Sequence, residues 1–307
     1  MNKDLELQYI KHENIDSEKW NQCIDNAPNC RVYCYDWHLD RTAIIWDALV
    51  WGDYKFVMPL PLRNKLGIKY LYQPLFSQQL GIFPNPPDTI KEQFFIALIK
   101  AFRYSDFQLN AANDFISTKT EIEFSPRKNY LLQLNQEYPH LADSFSKNTK
   151  RNLAKANKNG LIFIRGIRLE EYLEFKQKNL ITNLGRKEIN SLKSLIAFGQ
   201  YKGFGEIYGV YSAENILCAA VYFCRWKERV IYLNAASNEL GKELRGMYFL
   251  IDNFLKNNSG QNLTLDFEGS MIPGVERFYH GFGATPETYF QLNFNRLPLP
   301  LKWLKRK

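Results

Sequence analysis

The sequence has no apolar run of about 18 residues, the length that a transmembrane helix needs. Its longer apolar stretches, such as 217–224 and 94–99, suit buried strands or helices. The first residues include Asp4 and Glu6, where a secretory signal peptide would have an apolar core. Hydrophobic residues make up 45% of the chain and charged residues 23%, which excludes a disordered or fibrous protein. We therefore expect a soluble, cytoplasmic, globular protein.

Cysteine is scarce, and its spacing excludes the common zinc motifs. The chain has five cysteines, an odd number, and no C-x-x-C pair. The five are Cys23, Cys30, Cys34, Cys218 and Cys224. We expect reduced, structural thiols and no metal site.

The 307 residues correspond to about two domains, at roughly 150 residues each. Positive charge is concentrated in the second half. Residues 1–140 contain 15 basic and 17 acidic residues, whereas residues 141–307 contain 25 basic and 15 acidic ones. This asymmetry predicts that the second half binds an anionic partner, such as a phosphate-bearing cofactor, nucleic acid or anionic lipid. A solvated basic surface kept for solubility is the alternative.

Hydrophobic periodicity predicts a mixed α/β (α+β) fold. In the second half, two helices precede a period-two stretch over 206–235, which indicates an antiparallel meander. A helix, a strand, a short helix and a closing strand follow, near 246–255, 263–267, 275–279 and 289–292. The first half has a weaker version of this order, with a hairpin before a helix at 89–102 and strands after it. We expect two copies of one fold in tandem.

The segment 238–246 lies between a predicted strand and a predicted helix. Backbone N–H groups at a helix N-terminus, beside Lys242 and Arg245, make a plausible phosphate site, and Gly246 would allow a ligand to approach closely. The segment is neither a Walker A loop nor a G-x-G-x-x-G fingerprint. An ordinary loop with solvated charges is the alternative.

Two carboxylates end the predicted strand at 263–267. Asp266 and Glu268 are two residues apart and would share a strand face, so that one raises the pKa of the other and lets it act as a base. Alternatively, Glu268 caps the turn or pairs with an arginine. His280 titrates near neutrality and could shuttle a proton, although a single histidine beside a turn is more often structural.

A basic helix is predicted over 144–159. Its cations lie on neighbouring turns and suit phosphates, including an RNA backbone, or form a solvated face. They are Lys147, Lys150, Arg151, Lys155 and Lys158. The basic tail at 297–307, with Trp303, could contact an anionic membrane surface or be a weakly ordered terminus.

These motifs resemble the FemAB-type peptidyltransferases and the related acyltransferases of the GNAT superfamily. The resemblance lies in the segments 146–156, 182–186 and 266–270, followed by Gly274-Val275-x-x-Phe278-x-x-Gly281-Phe282-Gly283. It implies two tandem GNAT-like domains, each a mixed, mostly antiparallel sheet flanked by helices. The implied bounds are 1–138 and 139–295, with a basic C-terminal tail at 296–307.

The resemblance also implies an activity typical of bacterial-type enzymes. FemAB enzymes transfer an amino acid from aminoacyl-tRNA to the amine of a cell-wall precursor, and their relatives use acyl-CoA. Arg186 matches the position of a substrate-phosphate arginine, and Phe278 matches the aromatic residue of a Phe-Lys pair. Tyr279 stands where that pair has lysine, which favours an acyltransferase relative with a different substrate.

We therefore expect an N-acyltransferase that uses acyl-CoA or aminoacyl-tRNA as co-substrate, an amine as acceptor and no tightly bound cofactor. Backbone N–H groups of 230–235 would polarise the carbonyl, Glu268 beside Asp266 would act as base, and Tyr279 or His280 would donate a proton. The predicted substrate-binding residues are Lys150, Arg151, Arg186, Lys242, Arg245, Gly246 and Phe278. Two non-enzymatic alternatives are a polyanion-binding module for tRNA or a nucleotide-linked ligand, and a scaffold that binds neither CoA nor RNA.

Overall fold

A computed structural model describes residues 6–114, 121–179, 184–269, 271–298 and 301–302. The chain forms two compact units. Unit 1 comprises Met1–Arg127 and Thr288–Lys307, and unit 2 comprises Lys128–Glu287. These bounds differ from the expected 1–138 and 139–295, because strands near both predicted boundaries pair with more distant parts of the chain. The predicted tail lies largely outside the described residues, and Trp303 lies wholly outside them.

The first part of the chain alternates short helices with strands. Its elements are β1 (Leu7–Ile10), a 3-10 helix (His12–Asn14), α1 (Ser17–Asn26), a second 3-10 helix (Val32–Cys34), α2 (Asp36–Thr42), β2 (Ile45–Trp51), β3 (Phe56–Lys65), β4 (Ile68–Tyr72), α3 (Asp88–Ala101) and β5 (Tyr104–Gln108). The predicted hairpin forms β2 and β3, and its turn spans residues 52–55. Gly52 and Tyr54 both have positive φ in this four-residue turn.

The rest of the chain repeats this alternation with longer strands. Its elements are β6 (Glu123–Gln133), α4 (Tyr138–Asp143), α5 (Lys147–Ala156), β7 (Ile162–Arg165), α6 (Leu169–Lys178), α7 (Arg186–Tyr201), β8 (Gly205–Tyr211), β9 (Leu217–Trp226), β10 (Arg229–Ser237), α8 (Glu239–Glu243), α9 (Gly246–Asn258), β11 (Thr264–Asp266), α10 (Pro273–Gly281) and β12 (Thr285–Asn295). The predicted meander is confirmed as β8, β9 and β10. The basic helix is α5, and the Ser146 side chain caps it by accepting a hydrogen bond from the backbone N–H of Thr149.

The strands of both units follow the same plan. The order of hydrogen-bonded strands is β1-β2-β3-β4-β5-β12 through unit 1 and β6-β11-β10-β9-β8-β7 through unit 2. In each, a run of antiparallel strands ends in one parallel pair, β4 with β5 and β10 with β11, whose members are joined through a helix. The predicted mixed, mostly antiparallel α/β fold in two copies is confirmed.

The sequence order of β6 and β12 is crossed with respect to their pairing. Strand β6 follows β5 in sequence but pairs with β11, and β12 follows β11 but pairs with β5. Each pairing is antiparallel. Each of these two strands therefore pairs with a strand that is distant in the sequence.

The core of unit 2 is rich in aromatic side chains. Phe223 of β9 stacks on Phe254 of α9 with ring centroids 4.2 Å apart, and Tyr208 of β8 packs against both rings. Apolar burial of this kind fixes α9 against the middle strands of the sheet. Cys34, Cys218 and Cys224 are buried, and all five cysteines are free thiols. No helix in the described part of the chain is long and apolar enough to cross a membrane.

Candidate functional site

The carboxyl ends of β10 and β11 separate within unit 2. These parallel strands pair as far as Ile231 and Asp266. Strand β11 ends there, whereas β10 continues to Ser237. In the described part of the chain, no other strand pairs with β10 on this side beyond Ile231. Ligands in open α/β sheets commonly bind at the carboxyl ends of parallel strands, so this divergence is the candidate site.

A β-bulge in β10 lies just past the point of divergence. Tyr232 pairs with Phe223 of β9 and Asn234 pairs with Tyr222, which makes Leu233 an extra residue between two pairs. A bulge bends its strand and takes backbone groups out of the ladder. The N–H groups that the sequence analysis assigned to carbonyl polarisation lie on this bulged stretch of β10.

Arg229 and Asp266 form an ion pair where the two strands are still joined. Arg229 Nη1 lies 2.5 Å from Asp266 Oδ2, and the aspartate side chain is 1% exposed. Asp266 Oδ1 accepts a hydrogen bond of 2.9 Å from the backbone N–H of Glu268. Because both carboxylate oxygens have partners inside the protein, Asp266 is better suited to joining the strands than to accepting a proton.

Glu268 lies in a tight turn after β11. Its φ is 57° and that of Gly269 is 67°, both in the left-handed region. A Cβ on Gly269 would lie 2.1 Å from the carbonyl oxygen of Lys128, so this position requires glycine. The predicted strand face shared by Asp266 and Glu268 was wrong, because the strand ends at Asp266 and the turn breaks the alternation. Strained non-glycine residues of this kind cluster at functional sites.

Tyr279 of α10 is buried beside this turn. Its ring stacks on Phe267 with centroids 4.6 Å apart and planes 25° apart. Burial raises the pKa of the Tyr279 phenol above its ordinary value, and the charges of Glu268 and then Asp266 raise this pKa further. The phenol therefore keeps its proton at neutral pH. The structure brings Asp266, Glu268 and Tyr279 together.

His280 follows Tyr279 but is exposed, and it does not join that group. Its electrostatic neighbour is Glu276. A hydrogen bond from Tyr130 lowers the pKa of the Glu276 carboxyl most, then one from Lys128, and His280 adds a weaker contribution. The structure therefore separates the two proton donors that the sequence analysis proposed.

Phe278 and Gly246, both predicted to bind substrate, pack inside unit 2. The Phe278 ring centroid lies 4.8 Å from that of Tyr248 and 5.3 Å from that of Phe282. A Cβ on Gly246 would lie 3.2 Å from the Cβ of Ala219. The glycine therefore allows α9 to approach β9 closely, which accounts for it without a ligand.

The predicted phosphate loop contains the short helix α8. Asn238 caps this helix, and its Oδ1 accepts a hydrogen bond of 2.7 Å from the backbone N–H of Gly241. Lys242 is exposed and pairs with Glu239 at 2.6 Å. Arg245 has a φ of 65°, and its Nη1 donates to the carbonyl of Lys242 at 2.6 Å. Helix α9 begins directly afterwards, and the first N–H groups of a helix have no partners within it.

Three other basic residues that were predicted to bind substrate lie on exposed helix surfaces. Lys150 Nζ donates to the carbonyl of Asp143 at 3.0 Å, and Arg151 Nη2 donates to Asn148 Oδ1 at 2.9 Å, both on or near α5. Arg186 is the first residue of α7 and is exposed. These side chains could contribute to long-range attraction of an anion. Positions 182 and 270 of the family-like motifs lie outside the described residues.

Two residues of α6 that were not predicted from the sequence bond to the bulged stretch of β10. The Tyr172 hydroxyl donates to the carbonyl of Asn234 at 3.0 Å and also lies 2.6 Å from its Oδ1. Lys176 Nζ donates to the carbonyl of Ala235 at 2.6 Å. Their spacing was the only sequence signal, because residues four apart lie on one face of a helix and can contact the same neighbouring element.

A separate pocket of about 410 Å³ opens at the opposite end of β8, β9 and β10. Its polar lining includes Arg165, Glu206 and Arg225, and Arg165 makes a bidentate ion pair with Glu206 at 3.1 and 2.8 Å. The Tyr208 hydroxyl donates to the same carboxylate at 2.7 Å. Within the described residues, no group of three His, Cys, Asp or Glu side chains could hold a metal ion.

Comparisons with known proteins identify the fold. No protein-family model and no curated protein sequence matches the chain. Among solved structures, FemX matches with a TM-score of 0.60 and 12% identity over 99% of this chain and 100% of its own. L-PGS from Bacillus licheniformis matches with a TM-score of 0.53 and 10% identity, over 84% of this chain and 87% of its own.

A third structure gives the same result. The C-terminal domain of a putative lysylphosphatidylglycerol synthetase from Agrobacterium fabrum matches with a TM-score of 0.54 and 9% identity, over 94% of each chain. At these identities, the similarity identifies the architecture and not the substrate. Together with the repeated strand plan, it shows that the chain has a FemX-like fold, as its motifs predict.

Proposed function

We propose that unit 2 is an N-acyltransferase domain that moves an acyl or aminoacyl group from a phosphate-bearing donor to an amine. The observation that carries this proposal is the divergence of β10 from β11 beyond Ile231 and Asp266, beside the bulge at Leu233 and the turn that holds Glu268. An opened strand edge next to a carboxylate and a protonated phenol provides the groups that acyl transfer needs. The name of one similar structure, a putative lysylphosphatidylglycerol synthetase, supports acyl transfer in general, since its product carries a lysyl group on phosphatidylglycerol.

In the proposed reaction, the amine nitrogen attacks the carbonyl carbon of the donor. Backbone N–H groups of the bulged stretch stabilise the developing oxyanion, because preorganised donors favour charge that appears in the transition state. Glu268 takes the proton that the attacking nitrogen loses. The bond from carbonyl carbon to the leaving oxygen or sulfur then breaks, and Tyr279 donates its proton to that atom.

The structure supports these assignments unequally. Asp266 is held by Arg229 and by the Glu268 backbone, so Glu268 is the better base. Tyr279 is the better proton donor, because it lies against the Asp266–Glu268 turn whereas His280 is exposed. The donor is acyl-CoA or aminoacyl-tRNA, and the two differ in the leaving atom.

The test is transfer from each donor to a panel of primary amines. We expect wild-type protein to accelerate loss of acetyl-CoA or deacylation of aminoacyl-tRNA only when the accepting amine is present. Glu268→Gln should lower turnover by about 100-fold or more, the usual size of a general-base contribution, while the variant still binds the donor. Glu276→Gln is the matched control, since Glu276 lies on an adjacent element and is not assigned to the reaction.

Absence of transfer from both donors, with binding to neither, would reject the proposal. Full turnover by the Glu268→Gln variant would reject only the role of Glu268.

Polyanion binding without catalysis is the second candidate. It is favoured by the exposed cations of α5, among them Lys150 and Arg151. This function predicts binding of unacylated tRNA that weakens steeply with salt and never leads to transfer.

A further inference from the structure

Helix α6 is attached to β10 through two polar side chains, beyond the bulge. Tyr172 and Lys176 lie one helical turn apart and bond to the neighbouring residues Asn234 and Ala235. These contacts fall between the bulge and the end of β10 at Ser237, on the stretch where β11 no longer pairs. These contacts hold the side-chain nitrogen of Lys176 at the edge of the candidate site.

The ammonium group of Lys176 has no carboxylate partner among the residues that the structure describes. Its hydrogen-bond partner is the neutral carbonyl of Ala235, and no carboxylate of the described residues lies within 4 Å of Nζ. Burial lowers the pKa of Lys176 from its ordinary value. An ammonium that is partly removed from water without an opposite charge is costly, and a bound anion would remove much of that cost.

Three other lysines of unit 2 either have an acidic partner or are exposed to water. Lys242 is exposed and pairs with Glu239 at 2.6 Å, and Lys256 pairs with the buried Asp252 at 2.6 Å. Lys150 bonds to a carbonyl, as Lys176 does, but is exposed, so water solvates its charge. Lys176 combines partial burial, a neutral partner and a position on the opened strand.

We propose that Lys176 binds a phosphate group of the acyl donor at the opened stretch of β10. This inference rests on the proposed function, because it assigns a ligand group to the same site. The phosphate ester is common to acyl-CoA and tRNA, and the strand places it near Ala235, between the bulge where the carbonyl would react and the first turn of α8. Rise along a strand is about 3.3 Å per residue, so Ala235 lies about 7 Å from Leu233.

The experiment measures equilibrium binding of CoA and of unacylated tRNA to the full chain. The variants are Lys176→Met, which removes the charge, and Lys176→Arg, which keeps it. Lys178→Met is the matched control, because Lys178 is exposed on the same helix. Urea unfolding of each variant without ligand measures whether the substitution disturbs the fold.

We expect Lys176→Met to bind the preferred probe about 10- to 100-fold more weakly, the usual effect of losing a hydrogen bond to a charged group. Lys176→Arg should bind within about threefold of wild type, and Lys178→Met should not differ from wild type. The probe that responds identifies the source of the phosphate, CoA or tRNA.

Unchanged binding by Lys176→Met would overturn the proposal, as would wild-type protein that binds neither probe. A third outcome would also overturn it, namely that the loss of affinity in both Lys176 variants is proportional to their loss of unfolding free energy. The lysine would then act only by holding α6 on β10. Charge-dependent binding without any acyl transfer would keep the phosphate site and reject the proposed enzyme activity.

Discussion

Arg229 Nη1 lies 2.5 Å from Asp266 Oδ2, and this pair joins β10 to β11 at the last point before the strands diverge. The arginine side chain is 23% exposed and the aspartate 1%. Loss of the arginine would therefore leave the charge of Asp266 buried without its counter-charge.

We predict that Arg229→Met lowers the free energy of unfolding by about 3 kcal/mol, because it leaves a buried carboxylate without its counter-charge. Urea unfolding at neutral pH measures this. The control is Lys242→Met, which breaks an exposed ion pair and should cost less than about 1 kcal/mol. Equal costs for the two variants would show that Arg229 does not stabilise the strand junction.

Gly269 should tolerate no side chain. Gly269→Ala combines a left-handed backbone with a Cβ that would lie 2.1 Å from the carbonyl oxygen of Lys128. We expect it to lower unfolding free energy by about 2–4 kcal/mol and to reduce any transfer activity by displacing Glu268.

Gly274 is the matched control for Gly269. A Cβ there would meet nothing within 4 Å, so Gly274→Ala should leave stability within about 1 kcal/mol of wild type. A Gly269→Ala variant as stable as the Gly274→Ala variant would contradict the close approach of this turn to β6.

His38 of unit 1 should make stability depend on pH. Its side chain is buried, and its Nε2 lies 2.9 Å from the carbonyl of Phe76 and 3.1 Å from Ser77 Oγ. Burial lowers the pKa of His38 to about 3, although the contact with Phe76 opposes the shift. The unfolded chain binds a proton near pH 6.5, whereas the folded chain does not until about pH 3.

The stabilisation associated with His38 is therefore complete above pH 6.5 and is lost as the pH falls toward 3, by about 1.4 kcal/mol per pH unit. Urea unfolding at pH 7 and pH 5 should show a smaller pH dependence for His38→Gln than for wild type. His140→Gln, at an exposed histidine, should keep the wild-type dependence. An unchanged dependence in His38→Gln would contradict a buried, neutral imidazole.

Removal of the Tyr222 hydroxyl should make the protein more stable. The hydroxyl is buried and has no hydrogen-bond partner among the described residues, and it fits against Gly199 and Gly205. We expect Tyr222→Phe to raise unfolding free energy by about 1 kcal/mol, because a buried polar group without a partner is destabilising. Tyr208→Phe should instead lower it, since Tyr208 donates to Glu206 at 2.7 Å. A lower stability for Tyr222→Phe would mean that the hydroxyl has a partner.

The sequence predicted the elements of this fold better than the contacts of its site. Period-two hydrophobicity predicted β8 to β10, and a basic helix was predicted where α5 lies, because both signals are local. The left-handed turn at Glu268 was not predictable, since it depends on the approach of Gly269 to Lys128 in a distant strand. The role of Lys176 likewise depends on a bulge in β10 that no local pattern reveals.

The crossed pairing of β6 and β12 determines when their partner strands can be covered during synthesis. The side chains of Asp106 and Gln291 are hydrogen-bonded but 185 positions apart, so β5 has no β12 partner until residues 285–295 have been synthesised. Most of unit 1 can form earlier, but with one strand edge uncovered, and such edges promote association between chains. Strand β6, the antiparallel partner of β11, is made before any other strand of the second series. Nascent chains stalled before β12 should therefore be the most prone to aggregate.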